Sequence, residues 1–243
     1  MHQMLADATF RVECGQSAGS GFSFRHETIA VTNYHVVAPH FSAKSPIHVV
    51  TESGVRIGVN VLSHSPENLF DFAILQLQST IPANRSVLEP RIAAPISRGT
   101  ETIFAGFPHG IPDLLVHEAV VSGPSLPNGF YIDGSVNGGN SGGPIVEKAT
   151  GKALGIVTQR RFFGAIQLNQ LRQQVAQLGQ YSQGLAGRGS VIVMGIDFGG
   201  FANMMSQGFL VIDQILQANA NSGIGVGFDI DHVNQEYGRL GLP

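Results

Sequence analysis

The strongest constraint on this chain is a succession of short β-rich runs over its first 165 residues, each cut by a turn before a helix could form. Residues 9–14, 29–32, 47–51, 55–62, 72–77, 102–105, 114–121, 130–132 and 152–158 are apolar, β-branched or loosely alternating. Turn chemistry such as Glu52-Ser-Gly, Phe107-Pro-His-Gly and Pro127-Asn-Gly separates them. Many short strands at close spacing indicate an all-β barrel or sandwich. The Pro-rich, strandless stretch 81–95 is the expected linker between two halves. Apolar residues make up 43% of the 243, enough to bury a core and to exclude wholesale disorder.

After about residue 165 the texture changes. Leu168, Leu171, Val175 and Leu178 step at helical spacing, and seven glutamines occupy the rest of 167–183. A strand is expected at 191–196. A second helical pattern then runs through Phe201, Met204, Met205, Phe209, Ile212, Ile215 and Leu216, with the methionine pair read as core packing. The chain returns to a strand at 224–230, and Asp231 is placed to cap a short final helix.

Composition removes several classes of function. A net charge of −3 gives no basic surface for nucleic acid. Cys14 is the single cysteine, which excludes an internal disulfide framework and a cysteine zinc cage, and it reads as a small core residue. The nine histidines lack ligand spacing, so neither a metal nor a cofactor is expected. No run of 18 or more apolar residues occurs, and the start lacks a basic segment followed by an apolar one. The reading is a soluble, cytoplasmic chain without a membrane partner.

The segment richest in chemistry is Asn137-Gly-Gly-Asn-Ser-Gly-Gly-Pro144. Glycines on both sides of Ser141 permit positive φ and allow two main-chain N–H groups to converge in front of the hydroxyl, as a tetrahedral oxyanion requires. The same composition also makes an ordinary turn. A serine nucleophile needs a base, and His35 follows the apolar run 29–32. An imidazole base needs a buried carboxylate, and Asp71 lies in Phe70-Asp-Phe-Ala-Ile-Leu. The order His35, Asp71, Ser141 is that of chymotrypsin-type triads.

These residues resemble the trypsin-like serine proteases, specifically their HtrA (Deg) branch. The resemblance rests on Gly19-Ser-Gly-Phe, Val31-Thr-Asn-Tyr-His-Val-Val, Asp71-Phe-Ala-Ile-Leu and Ala105-Gly-Phe-Pro. It continues through Asp133-Gly-Ser-Val-Asn-Gly-Gly-Asn-Ser-Gly-Gly-Pro-Ile, Gly155-Ile-Val-Thr and Gly223-Ile-Gly-Val-Gly-Phe. It implies a mainly β fold of two six-stranded antiparallel β-barrels, with domains at 1–85 and 96–243. It also implies a largely helical insertion at about 162–222 in the second domain, and a short C-terminal helix. His35 then matches the general base, Asp71 its orienting carboxylate and Ser141 the nucleophile, with Gly139 and Ser141 as backbone oxyanion donors. The substrate pocket falls on Ser135, Val136, Val157, Thr158 and Arg160. No carboxylate is among them, so a small or medium apolar P1 residue is expected, with Arg160 as a potential attraction for an acidic one.

Three departures qualify the resemblance. Asn140 replaces the aspartate that pairs with a newly cut N-terminus in digestive enzymes, so activation by that ion pair is not expected. Too few residues follow Val233 for a PDZ domain. The insertion stands where the family has a short loop at the border of the specificity pocket. It is read either as a contact for self-association or regulation, or as a passive hairpin packed on the barrel. The implied function is endopeptidase action on proteins or peptides. The alternative is a latent or inactive module acting in binding, assembly or chaperoning.

Overall fold

The computed structural model describes residues 1–81, 85–92, 95–125, 128–161, 165–187, 189, 191–218 and 223–243. Pro127 of an expected turn, residues 82–84 and 93–94 of the expected linker, and both ends of the expected insertion, Phe162 and Ser222, lie outside the described residues. So do the side chains of Arg160 and Leu168.

The chain divides into two compact units, Met1–Arg160 with Gly223–Pro243, and Arg161–Ser222. In the first unit a short helix α1 (His2–Ala8) leads into strands β1 (Thr9–Cys14), β2 (Ser17–Phe24) and β3 (His26–Thr32). Helix α2 (Tyr34–Ala43) interrupts them before β4 (Ile47–Val50), β5 (Arg56–Ser65) and β6 (Phe72–Leu77). These six strands close into an antiparallel barrel in the order β1-β2-β3-β6-β5-β4. Its interior is filled by Phe10, Val12, Cys14, Val49, Ile57, Leu75 and their neighbours, so Cys14 is the core residue its sequence context suggests.

The second barrel is built from β7 (Glu101–Gly106), β8 (Leu115–Ser125), β9 (Gly129–Asp133), β10 (Pro144–Glu147) and β11 (Ala153–Arg161). The chain then leaves for the insertion: α3 (Ala165–Ala186), β12 (Ile192–Val193), β13 (Ile196–Asp197) and α4 (Phe198–Ala218). It returns as β14 (Ile224–Asp229), the sixth strand, which closes the barrel in the order β10-β11-β14-β9-β8-β7. The fold is therefore the two six-stranded antiparallel barrels implied by the resemblance.

Closed barrels leave no unpaired sheet edge, but each must still bury its outer apolar face. A third apolar cluster does this between the barrels, with Phe22, Phe24, Phe72, Ile103, Phe107 and Tyr237 all buried. The linker supplies Leu88 to it and bonds along its backbone to Ser23 of one barrel and Ala153 of the other. Tyr237 comes from the final helix, α5 (Asp231–Arg239), and meets the Phe24 ring edge-on at 5.9 Å. The cap of α5 differs from expectation. Asp231 is its first residue, and the Asp231 N–H donates to Asp229 Oδ1 at 2.9 Å, so Asp229 provides the oxygen.

In the second unit α3 packs against α4, joined by the Arg172–Asp213 ion pair at 2.7 Å. Burial here departs from the helical stripes of the sequence. Of the described stripe residues in α3, only Val175 is buried, while Leu171 and Leu178 are exposed. In α4 it is Ala202 and Ser206 that are buried, whereas Met204 and Met205 are exposed and do not form a core. The glutamine face of α3 is also exposed over its described side chains.

Candidate active site

His35 lies one turn beyond the end of β3, in the first turn of α2. The leading N–H groups of a helix have no intrahelical acceptor and carry its positive end. Here the His35 N–H donates to Asp71 Oδ1 at 3.1 Å, and Asp71 Oδ2 lies 2.8 Å from the same residue's Nδ1. A carboxylate only accepts, so Nδ1 carries the proton and Nε2 keeps its lone pair facing away. One buried side chain thus fixes the backbone, the ring orientation and the tautomer of His35.

Asp71 itself is fully buried and has φ of +44°, a left-handed conformation that aspartate tolerates better than most residues. Its backbone is held on both sides. The Asp71 N–H donates to Pro66 O at 3.2 Å, and its carbonyl accepts Asn33 Nδ2 at 2.7 Å. Thr158 Oγ1 donates to Oδ2 at 2.7 Å, completing the carboxylate's shell. Burial disfavours the charged imidazole, yet the hydrogen bond and charge of Asp71, with the charge of Glu67, outweigh it. They raise the His35 pKa above its ordinary 6.5.

The Ser141 hydroxyl donates to the Thr158 carbonyl at 3.0 Å. Among the described residues no hydrogen bond joins it to His35. Ser141 sits in a turn whose N–H groups fall into two sets. Those of Asn140, Gly142 and Gly143 are bonded, to Asn137 O, Val157 O and Asn140 O at 3.1, 2.7 and 2.9 Å. Those of Gly139 and Ser141 meet no acceptor among the described residues. Gly139 has φ of +93°, and a Cβ there would stand 2.2 Å from the Phe107 carbonyl, so glycine is obligatory on both counts. Asn140 is fully buried, and its amide makes no hydrogen bond among the described residues.

Of the residues expected to line a pocket, four have described side chains. Val136 and Val157 are packed in the core of the second barrel with Phe104, Phe130 and Ile145. The Thr158 side chain is committed to Asp71, a role that sequence reading missed although it singled out the residue. Ser135 is exposed, and its carbonyl accepts Asn137 Nδ2 at 3.3 Å. Asn33 was legible only as part of a motif, because its partner is a main-chain oxygen 38 residues away. Among the described residues no group of three or more His, Cys, Asp or Glu is arranged to hold a metal, and no helix is long and apolar enough to cross a membrane.

Comparison with known proteins gives a consistent set. The family described as the trypsin-like peptidase domain matches residues 19–156. The magnetosome formation protease MamE of Magnetospirillum gryphiswaldense is 28% identical over 156 residues, 59% of this chain and 19% of that protein. The peroxisomal leader peptide-processing protease of Mus musculus is 30% identical over 63% of this chain and 27% of its own. A probable periplasmic serine endoprotease, DegP-like, of Pseudomonas fluorescens is 30% identical over 59% of this chain and 29% of its own. The chain thus spans less than a third of the length of these relatives. The serine endoprotease of Yersinia pestis superposes with a TM-score of 0.55 at 24% identity, covering 66% of this chain and 58% of that one. An inactive form of Rv3671c from M. tuberculosis H37Rv gives 0.57 at 16% identity, covering 98% of this chain and 89% of that one. Both likenesses concern the fold.

Proposed function

The chain belongs to the trypsin-like peptidase domain family, with relatives in the HtrA-like branch, and from that premise we propose that it is a serine endopeptidase. The observation that carries the proposal is the hold of Asp71 on His35, on a fold that also leaves two main-chain N–H groups around Ser141 without an acceptor among the described residues. His35 Nε2 takes the Ser141 proton as Oγ attacks a peptide carbonyl. The carbonyl oxygen gains the negative charge and is received by the Gly139 and Ser141 N–H groups. As the C–N bond breaks, His35 returns the proton to the leaving amine. Water activated by the same imidazole then hydrolyses the acyl-enzyme. Small or medium apolar P1 residues are preferred over Lys and Arg, because a basic side chain would be desolvated without a carboxylate partner.

One observation favours a second, latent reading: the Ser141 hydroxyl is bonded to Thr158 O, so it must rotate toward His35 before it can be deprotonated. A serine-directed phosphonate probe, followed by digestion of a peptide library, tests both. The active reading expects labelling that Ser141→Ala abolishes and cleavage sites lacking basic P1 residues. Absent labelling leaves the latent module, and a preference for acidic P1 residues implicates Arg160.

The proposal assigns self-association or regulation to the insertion, supported by its exposed Phe198, Phe201, Met204, Leu210 and Ile215. Replacing residues 165–220 by a Gly-Ser loop tests this. Unchanged catalytic efficiency and unchanged molar mass in light scattering would leave a passive hairpin.

A further inference from the structure

An oxyanion hole made of main-chain N–H groups is only as good as the orientation of their peptide planes. In a planar trans peptide the carbonyl of one residue and the N–H of the next point in opposite directions. The Gly139 N–H is therefore aimed by whatever holds the Gly138 carbonyl, and the Ser141 N–H by whatever holds the Asn140 carbonyl. The first accepts the His109 N–H at 2.7 Å and the second the Gly143 N–H at 2.9 Å. Between them lies the plane of the Gly139 carbonyl, bounded on one side by a glycine free to change its torsions. That carbonyl accepts the Ser20 hydroxyl at 2.7 Å.

Ser20 is fully buried in β2 of the first barrel, and four hydrogen bonds fix it. Its Oγ accepts the Phe107 N–H at 2.9 Å, which directs the hydroxyl proton toward Gly139 O. Its own N–H donates to Ser141 O at 2.8 Å, and its carbonyl accepts Thr32 Oγ1 at 2.7 Å. Ser20 is the one side chain bonded to the carbonyls of residues 138–141 among the described residues. The adjacent Asn140 side-chain amide makes no hydrogen bond among the described residues, and the other end of the Gly139 carbonyl's peptide plane is held by the Asn140 N–H on Asn137 O at 3.1 Å.

We propose that Ser20 is a positioning residue for the oxyanion turn: its hydroxyl locks the Gly139 plane and so keeps the Gly139 and Ser141 N–H groups converged on the reacting carbonyl oxygen. The inference rests on the protease reading given above. Ser20 is fully buried and does not itself meet substrate, so its loss should weaken transition-state stabilisation more than ground-state binding.

The test compares wild type with Ser20→Ala and Ser20→Cys on a peptide amide substrate, with folding checked by circular dichroism. The cysteine retains the shape with a much weaker donor and carries the test if the alanine variant does not fold. We expect kcat to fall about 10- to 100-fold in Ser20→Ala, less than the loss of an oxyanion donor outright, with KM within about threefold. A peptide aldehyde, whose hemiacetal with Ser141 needs the same N–H groups, should lose affinity by the same factor. Ser20→Cys should show the same pattern at smaller size. Unchanged kcat, a loss carried by KM, or unchanged aldehyde affinity overturns this inference alone. A wild-type protein that neither cleaves substrate nor binds the aldehyde overturns the protease reading, and this inference with it.

Discussion

In the barrels Phe10, Phe22, Phe24 and Phe104 are fully buried, whereas in the insertion Phe198 and Phe201 are half exposed and Met194 is 99% exposed. The two units bury opposite kinds of residue. The barrels enclose large side chains and place glycine where backbone must come close, as at Gly155 and Gly139, or where a neighbouring side chain fills the space, as at Gly225. The helices of the insertion meet through small residues. Ala202 and Ser206 are buried, Ser206 Oγ donates to Gly179 O at 3.3 Å, and most of the large apolar side chains are exposed, Val175 apart. Apolar burial is the dominant stabilising term in water, so the first unit supplies its own stability and the second leaves much of that term unused. The difference separates a unit with a filled apolar core from one whose large apolar side chains are mostly exposed.

The comparison can be broken most sharply at the site. Ser141→Ala or His35→Ala should reduce peptide hydrolysis by about 10⁴–10⁶-fold while the melting temperature holds. Comparable cleavage by Ser141→Ala would sink the mechanism. Asp71→Asn should cost about 10⁴ in kcat through the wrong tautomer, and should also lower the melting temperature because the carboxylate caps α2. Such a change with kcat intact would mean that Asp71 is structural only.

Activity should also follow the protonation of His35. The base works when neutral, and its pKa is raised, so the rate should fall about tenfold per unit as pH drops below a midpoint above 6.5. A flat profile from neutral to mildly acid pH would remove His35 from this role.

Smaller effects sharpen the contrast in packing. A Cβ at Gly225 would stand 2.3 Å from Val136 Cγ2, so Gly225→Ala should destabilise the barrel by about 1–3 kcal/mol in urea unfolding. A Cβ at Gly208, in α4, meets nothing within 4 Å, so Gly208→Ala should stabilise the helix by about 0.5–1 kcal/mol, read by melting of the helical signal. No cost at Gly225 together with a loss of stability at Gly208 would reverse the assignment of tight and open packing.

Much of the fold was legible because its strands are short and their turns carry explicit chemistry. The runs around 9–14, 72–77 and 130–132 coincide with β1, β6 and β9 to within a residue or two. The misses share a cause. Strand β2 is Gly- and Ser-rich and lacks the β-branched pattern. Helix α2 opens on Tyr34 and His35, directly after a strand-like run, and its first turn is held by Asp71 from 36 residues away. Asp231 does not cap α5: Ile230 is the N-cap residue, and it is Asp229 that accepts the Asp231 N–H, because the local backbone decides which of the two carboxylates faces the helix start.

By itself, the sequence determined the chemical cast: a serine among glycines, a histidine beside an apolar run, an aspartate flanked by phenylalanines, and a change of texture near residue 165. These are local properties, set by composition and periodicity over a few residues. Only the tertiary structure decided how the cast is held. It joined Thr158 and Asp71 across 87 residues, tied Ser20 to Gly139 across 119, and sent Val136 and Val157 into the core. Such bonds depend on the orientation of peptide planes and on which face of a closed barrel a side chain meets, and neither is written in the order of the residues alone.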